Sequence, residues 1–278
     1  MQSKDIPFAV RLTDQEEWGI TPNAYRRLRR LNPRGCFIAY DGITRTGLTT
    51  TTVYGKELAW IGNVIVDEDH RGKHIGQSLV EHAVSFLQKS RVRHVALYCF
   101  SEHEKFYENL GFVKDSSFLR LRRSAARTKH PKNPPQFLRP PLLTKVMAAD
   151  RKAFGADRSK LILDVLREKA GWYIGSGRDA SSASYLMSRE YPDDCEIGPW
   201  ICTNPLRDEP GEMLSRALAI IRPAPVEISC LQQNRGAVHT LKANHFRKVR
   251  DGYRMFFEQR TEIGNDTSQY ALGFLDKG

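Results

Sequence analysis

The feature that most constrains this chain is an order of elements that occurs twice. Residues 124–141 are rich in proline, with pairs at Pro134-Pro135 and Pro140-Pro141 among basic and small residues, and read as an extended linker. They split the chain into two nearly equal parts. Ahead of them a strand is expected over 8–12, then a helical region over 14–31 capped by Thr13. Strand-like runs follow over 36–40, 47–54 and 58–66, the β-branched stretch 49–53 fitting a strand well. Leu79, Val80, Ala83, Phe86 and Leu87 recur at helical spacing within 75–89. A strand over 94–100, a helix over 102–110 and a strand over 117–122 complete the first part. Beyond the linker the reading is helices over 143–154 and 158–169, then strands over 171–174, 183–189 and 196–202. A helix over 210–221, a strand over 226–230, a helix over 235–243 and a strand over 253–257 end it. The same succession thus appears on both sides. From 258 the chain turns polar, and 259–278 reads as a loose tail.

Composition narrows the class. The chain has 278 residues, 40% of them hydrophobic and 27% charged, which suits two globular domains. No apolar run is long enough to span a membrane, and the first residues are polar, so a cytoplasmic protein with no membrane partner is expected. The five cysteines (Cys36, Cys99, Cys195, Cys202, Cys230) are odd in number and lack metal-ligand spacing, so neither a disulfide framework nor a metal site is expected. A net charge of +11 favours an anionic partner, which phosphates of a cofactor or of nucleic acid satisfy equally.

One stretch carries chemistry. Trp60-Ile61-Gly62-Asn63-Val64-Ile65-Val66 runs through residues 67–70 into Arg71-Gly72-Lys73-His74-Ile75-Gly76. A strand ends, a glycine-containing loop turns, and an amphipathic helix begins. Such a corner aims several backbone N–H groups at one point beside the positive end of the helix, which suits a pyrophosphate. Arg71 and Lys73 add charge. No Gly-Lys-Ser/Thr follows, so it is not a Walker loop, and it lacks the three spaced glycines of a dinucleotide fingerprint.

This segment resembles the acetyl-CoA motif of the Gcn5-related N-acetyltransferase (GNAT) superfamily, Arg/Gln-x-x-Gly-x-Gly/Ala after a valine-rich strand. Further on, Phe106-Tyr107-Glu108-Asn109-Leu110-Gly111-Phe112 resembles the family's second signature. Trp18, Tyr25-Arg26-Arg27-Leu28 and Asn32-Pro33-Arg34-Gly35 resemble a tandem branch of the family. So do Asp150-Arg151-x-x-Phe154-Gly155-Ala156-Asp157-Arg158 and Ile197-Gly198-Pro199 in the second part. The resemblance implies an α/β (α+β) chain of two tandem GNAT folds, each a mixed, mostly antiparallel sheet flanked by helices. Residues 1–123 would form the catalytic, acetyl-CoA-binding domain and 142–258 a degenerate copy. His74 stands where the family pattern has its first glycine; its N–H is kept, but its side chain must tolerate a left-handed backbone.

The resemblance also implies roles. Val64, Ile65 and Val66 would line the pantetheine and the thioester carbonyl, with Arg71, Gly72, Lys73, His74, Ile75 and Gly76 around the phosphates. Tyr107 would protonate the leaving sulfur as general acid, and a primary amine would attack directly, without an acyl-enzyme or a metal. The acceptor is expected to be a small-molecule amine, with a protein or nucleic-acid-linked amine as the alternative. A non-catalytic module that binds acyl-CoA or nucleic acid is the other reading. Trp60 occupies the position where some relatives carry a glutamate base; Glu57, Asp41 or a water chain stay open as substitutes. The arginines at 26, 27, 29 and 30 read as a solvated face, with attraction of an acidic substrate or nucleic acid as the alternative, and the basic run 120–132 reads as solvated linker charge. The second half lacks both motifs: Leu241 falls where Tyr107 would be and His245-Phe246 replaces Gly-Phe. It is expected to bind no CoA and to shape the acceptor pocket.

Overall fold

Apolar runs too short to bury their own faces meet edge to edge in one ten-stranded sheet. The computed structural model describes residues 1–125, 140–167, 184–191, 193–203, 209–221 and 223–278. Most of the proline-rich linker, the strand expected over 171–174 and the loop over 204–208 lie outside the described residues. The first half contains α1 (Ile6–Asp14), α2 (Pro22–Leu31), β1 (Cys36–Asp41), β2 (Thr44–Tyr54), β3 (Leu58–Val66), α3 (Ile75–Lys89), β4 (His94–Phe100), α4 (Glu104–Glu108) and β5 (Phe112–Arg123). The second contains α5 (Pro140–Phe154), α6 (Ser159–Arg167), β6 (Tyr185–Glu190), β7 (Cys195–Ile201), α7 (Glu209–Ile220), β8 (Val226–Leu231), α8 (Arg235–Ala243), β9 (Arg247–Phe257) and β10 (Gln269–Ala271).

Two expectations about the start fail. Residues 8–12 lie in helix α1, not in a strand. Phe8, Val10 and Leu12 alternate, but the buried set Ile6, Phe8, Ala9, Leu12 and Thr13 is spaced for a helix, and Pro7 sits in its first turn, where its missing N–H costs nothing. Thr13 is buried inside this helix, its hydroxyl donating to Ala9 O at 3.1 Å and Val10 O at 3.0 Å. The cap belongs to Thr21, which accepts from the Ala24 N–H at 3.3 Å ahead of α2.

The strand order is β1-β2-β3-β4-β9-β5-β8-β7-β10, with β6 also on β7. Among the described residues only β3·β4 and β7·β8 are parallel, and each of these pairs holds at three positions: Leu58–Trp60 with His94–Ala96, and Cys195–Ile197 with Val226–Ile228. Beyond them the two strands of each pair diverge. The middle of the sheet is built by exchange. β4, from the first half, pairs along its other edge with β9, the last strand of the second. β8, from the second half, pairs with β5, the last strand of the first. β5 and β9 lie side by side. The basic residues at the end of β5 are therefore not solvated linker: Arg120 Nε bonds Glu227 at 2.6 Å, Arg120 also reaches Glu196 at 3.3 Å, and Arg122 reaches Glu227 at 3.3 Å. Arg27 of the α2 cluster is buried as well, near Asp164, which Arg30 contacts at 2.7 Å.

The faces are covered by helices. Val80, Ala83, Val84 and Leu87 of α3 pack on Ala59, Ile61 and Leu97. On the opposite face Phe154, Leu161, Ile162 and Val165 of α5 and α6 pack on Trp60, Ala96 and Phe256. Met213, Leu214, Ala217 and Leu241 close over Ile197 and Ile228 in the second half.

The tail is the largest departure from expectation. Residues 269–278 are ordered and mostly buried, including Tyr270, Leu272, Phe274 and Lys277. β10 enters the gap where β7 leaves β8: it pairs with Trp200 and Ile201 of β7, and Leu272 N–H bonds Ser229 O of β8 at 2.8 Å. The chain then turns back across the sheet face to Trp60. Its receptor is the α5–α6 corner. Arg158 grips Asp150 through three contacts of 2.8–3.1 Å, stacks over Phe154 at 4.2 Å, and donates to Gly278 O at 3.0 Å. Gly155 and Gly264 cross so closely that a Cβ on Gly155 would come within 2.5 Å of Gly264 N. The polar residues after 258 masked the apolar residues beyond them.

Both members of the Asp150–Arg158 pair are 1% exposed, so removing one strands the other's charge. Arg158→Ala is expected to cost about 3–5 kcal/mol of unfolding free energy. Urea denaturation of the full chain checks this.

Candidate active site

The site grows from the divergence of β3 and β4. Past Trp60 and Ala96 the strands no longer pair, and β3 bulges against β2: Leu48 faces Ile65, but Thr50 faces Gly62. The extra residue is taken up at Asn63, whose φ of 51° is left-handed, a conformation Asn accepts better than most residues. Its side chain fixes the bulge by donating to Thr50 Oγ1 at 2.9 Å. Thr49 and Thr50 both donate to Gly62 O at 3.2 Å. Val64, Ile65 and Val66 thus leave the bulge along an edge that faces the gap, which opens toward the loop at 71–74.

That loop ends at α3. Gly72 has φ of 76° and His74 φ of 56°, so the turn is left-handed at both positions. A Cβ on Gly72 would meet nothing within 4 Å, so the outer side of the loop is open. Ser78 is the residue whose amide returns to His74 O, at 3.0 Å, and the N–H groups before it form the unpaired first turn of α3. Ile75 and Gly76 open the helix there. The cations are partly engaged: Arg71 donates to Val66 O at 3.1 Å and to Glu16 at 2.5 Å, and Lys73 to Asp69 O at 3.3 Å. The His74 ring turns outward to Gln77, 3.2 Å away.

α4 brings Phe106, the neighbour of Tyr107, to the same gap. A Cβ on Gly76 would touch the Phe106 ring and the Val66 side chain, both at 3.6 Å, so α4, α3 and the end of β3 converge there. Tyr107 packs edge-on against Phe106 and Phe112 at centroid distances of 5.0 and 5.9 Å. Burial, with Cys99 nearby, pushes its ionisation well above the ordinary tyrosine value, so it stays a protonated phenol over the working pH range. The corresponding turn in the second half keeps its shape, since His245 is left-handed as Gly111 is, but Leu241 is buried in the core. Asn234 caps α8 through Ala237 N–H and donates to the carbonyls of Asp266, Thr267 and Gln269, so it holds the tail.

Two residues near the bulge escaped the sequence reading. Asn63 had a signal, a lone amide in a valine-rich strand. Asp276 had none: it comes from the tail, its backbone lies against Gly62, and it accepts from Asn63 Nδ2 at 3.2 Å.

Comparison with known proteins agrees with this architecture. Two family models, each described as an acetyltransferase (GNAT) domain, match residues 32–114 and 146–271. The chain belongs to the GNAT superfamily. It is a tandem member of that superfamily of acyl-CoA-dependent N-acyltransferases. It is 23% identical to the uncharacterized N-acetyltransferase YitH of Bacillus subtilis over 276 residues, covering 98% of this chain and 95% of that one. A candidate acetyltransferase from Pyrococcus horikoshii superposes with a TM-score of 0.82 at 19% identity, over 100% of this chain and 94% of the other. A tandem GNAT protein of the clavulanic acid biosynthesis pathway superposes with a TM-score of 0.66 at 13% identity, over 94% and 96%. These likenesses show the fold. Among the described residues no helix is long and apolar enough to cross a membrane.

The left-handed turn at His74 sets a test of the loop. A β-branched side chain is strained there, whereas glycine is not. His74→Val should be less stable than His74→Gly by about 1–2 kcal/mol, as read by equilibrium denaturation.

Proposed function

We propose that the protein transfers an acetyl group from acetyl-CoA to a primary amine, with its chemistry in the first half. The observation that carries this reading is the convergence of the end of β3, the first turn of α3 and Phe106, the residue before Tyr107, on one gap. The residues fit the donor: the open left-handed loop and unpaired amides of α3 suit its pyrophosphate, and the free edge of Val64 to Val66 suits an amide-rich pantetheine arm. Bound there, acetyl-CoA supplies an activated thioester.

The chain's residues then do four things. The amides of 72–76 hold phosphate oxygens, and Lys73 and Arg71 add charge-assisted contacts. The β3 edge beyond the bulge orients the thioester carbonyl and offers N–H donors where negative charge develops. Tyr107, kept protonated by burial, gives its hydroxyl proton to the departing sulfur. The opposite sheet face, where the tail lies over Gly62 beside the bulge, presents the acceptor. That face is built by both halves, as a cleft between fused domains commonly is. In the second half the matching gap is occupied by β10 and Leu272, which supports a single donor site per chain.

Two measurements check the reading. Arg71→Ala combined with Lys73→Ala should weaken acetyl-CoA binding by about 2–4 kcal/mol, taking charged hydrogen bonds at ordinary strength. Unchanged affinity in calorimetry would count against the phosphate assignment. Tyr107→Phe keeps the ring and removes the proton; turnover should fall about 10²–10⁴-fold with donor affinity nearly constant. Turnover within a factor of two of the parent would reduce Tyr107 to packing.

A further inference from the structure

The family position for a carboxylate on β3 is Trp60, and the substitutes weighed from the sequence lie elsewhere. Glu57 pairs with Arg93 at 3.0 Å on the surface, at the far end of β3 from the bulge. Asp41 is exposed at the end of β1, the edge strand. The carboxylate that does reach the bulge is Asp276. We propose that Asp276 and Asn63 form the subsite that receives the acceptor's ammonium group, and that Lys277 holds this subsite until the acceptor displaces it. This assignment rests on the acetyl-transfer reading above.

Position is the first argument. Trp60 and Gly62 point to the face opposite α3, because Ala59 and Ile61 are the residues packed beneath that helix. A Cβ on Gly62 would come within 2.2 Å of Asp276 O, so the tail lies directly on the strand one residue before the bulge. Asp276 therefore meets the transfer centre from the side away from the phosphate loop, where an acceptor must enter. It is held there firmly. Gly278 O is bound by Arg158 at 3.0 Å, Lys277 O accepts a hydrogen bond from the Tyr54 hydroxyl, and Asn63 donates to Asp276 Oδ2 at 3.2 Å.

What the carboxylate already binds is the second argument. The Lys277 side chain is 2% exposed, and its ammonium contacts Asp276 Oδ2. Among the described residues no other acidic group pairs with it. A buried primary alkylammonium beside the bulge is the functional group that a primary-amine acceptor would bring. Burial alone would keep Asp276 neutral, but Lys277, Arg189 and the Asn63 amide outweigh it and hold the carboxyl below the usual aspartate range. The other titratable groups around it are Arg27 of α2, Tyr25, Tyr54 and Tyr191. Asp276 is thus an anion when an ammonium arrives, and Asn63, fixed by Thr50, keeps it aimed. The role is recognition and placement: the bound ammonium gives one proton to water, and the neutral amine then attacks the thioester carbonyl while the sulfur leaves with the proton from Tyr107.

The full-length enzyme and Asp276→Asn are compared with two acceptors, a primary alkylamine, cationic at neutral pH, and an aromatic amine, uncharged there. Calorimetry with acetyl-CoA and thermal melting accompany the kinetics. For Asp276→Asn, kcat/KM with the alkylamine should fall about 10–100-fold, the size of a lost hydrogen bond to a charged group. The aromatic amine should change less than threefold, with acetyl-CoA affinity unaltered. Equal losses for both amines, or no loss for the alkylamine, overturn the subsite. Lys277→Met gives an independent readout and decides the matter if only alkylamines react: removing the internal competitor should lower KM for the alkylamine several-fold, and an unchanged or higher KM overturns the placeholder. A parent enzyme that binds no acetyl-CoA, or binds it and acetylates no amine, overturns the proposed function and this assignment with it. Intact binding and transfer with an indifferent Asp276→Asn overturns this assignment alone.

Discussion

Everything in this molecule depends on the exchange of final strands between its halves. β4 pairs with β9 and β8 with β5, so neither half owns the edge that completes its own sheet. A strand edge left open in either half would expose a row of unpaired N–H and C=O groups. The exchange turns two incomplete sheets into one and makes the β5·β9 pair the spine of the chain. Ionic contacts reinforce the seam. Arg120 and Arg122 of β5 reach Glu196 and Glu227 of the second half, and Arg254 of β9 is held between Asp115 and Asp266 at 2.6 and 2.8 Å. These groups are mostly buried, so their geometry matters more than that of exposed pairs.

The two halves answer the same topological problem differently. Each contains a parallel pair that holds for three positions and then parts. In the first half the parting is bordered by a left-handed loop, a helix start and Phe106 of α4. In the second the chain closes the parting with its own residues 269–272 and buries a leucine where the tyrosine would be. The two halves thus hold one gap left open between strands and one filled by protein. The segment that fills the second then continues to the wall of the first, so the copy without motifs still sets the geometry beside the bulge.

Much of this was legible in the residues. The strand at 58–66, the helices at 75–89 and 235–243 and the strand at 94–100 follow directly from apolar periodicity, because each buries one face against a neighbour with the matching period. The glycine-containing corner at 71–76 and the Phe106-Tyr107 helix were visible as motifs, and they do converge, through Gly76 and Phe106. Three things were not legible, each because it depends on a distant partner. Residues 8–12 alternate locally, but α2 and β2 select the helical face. Arg27 and Arg120 look like solvated charge until Asp164, Glu196 and Glu227 come near from over seventy residues away. The tail reads as loose because nothing in its own composition announces the Asp150–Arg158 corner that receives it. The same holds for Asp276, an acidic residue with no pattern around it.

The exchanged strands also impose a schedule on synthesis. As the chain is made from its first residue, β4 and β5 exist for more than a hundred residues before β9, the strand that separates them, is complete. Throughout that interval two long edges stand open in a crowded solution, the circumstance in which strands pair with the wrong chain. The sequence of β5 is suited to the wait. Arg120, Arg122 and Arg123 repel a second copy of the same strand, and the acidic partners of Arg120 and Arg122, at 196 and 227, arrive later. Charges that fasten the seam in the finished protein are thus the charges that keep the nascent chain from its neighbours.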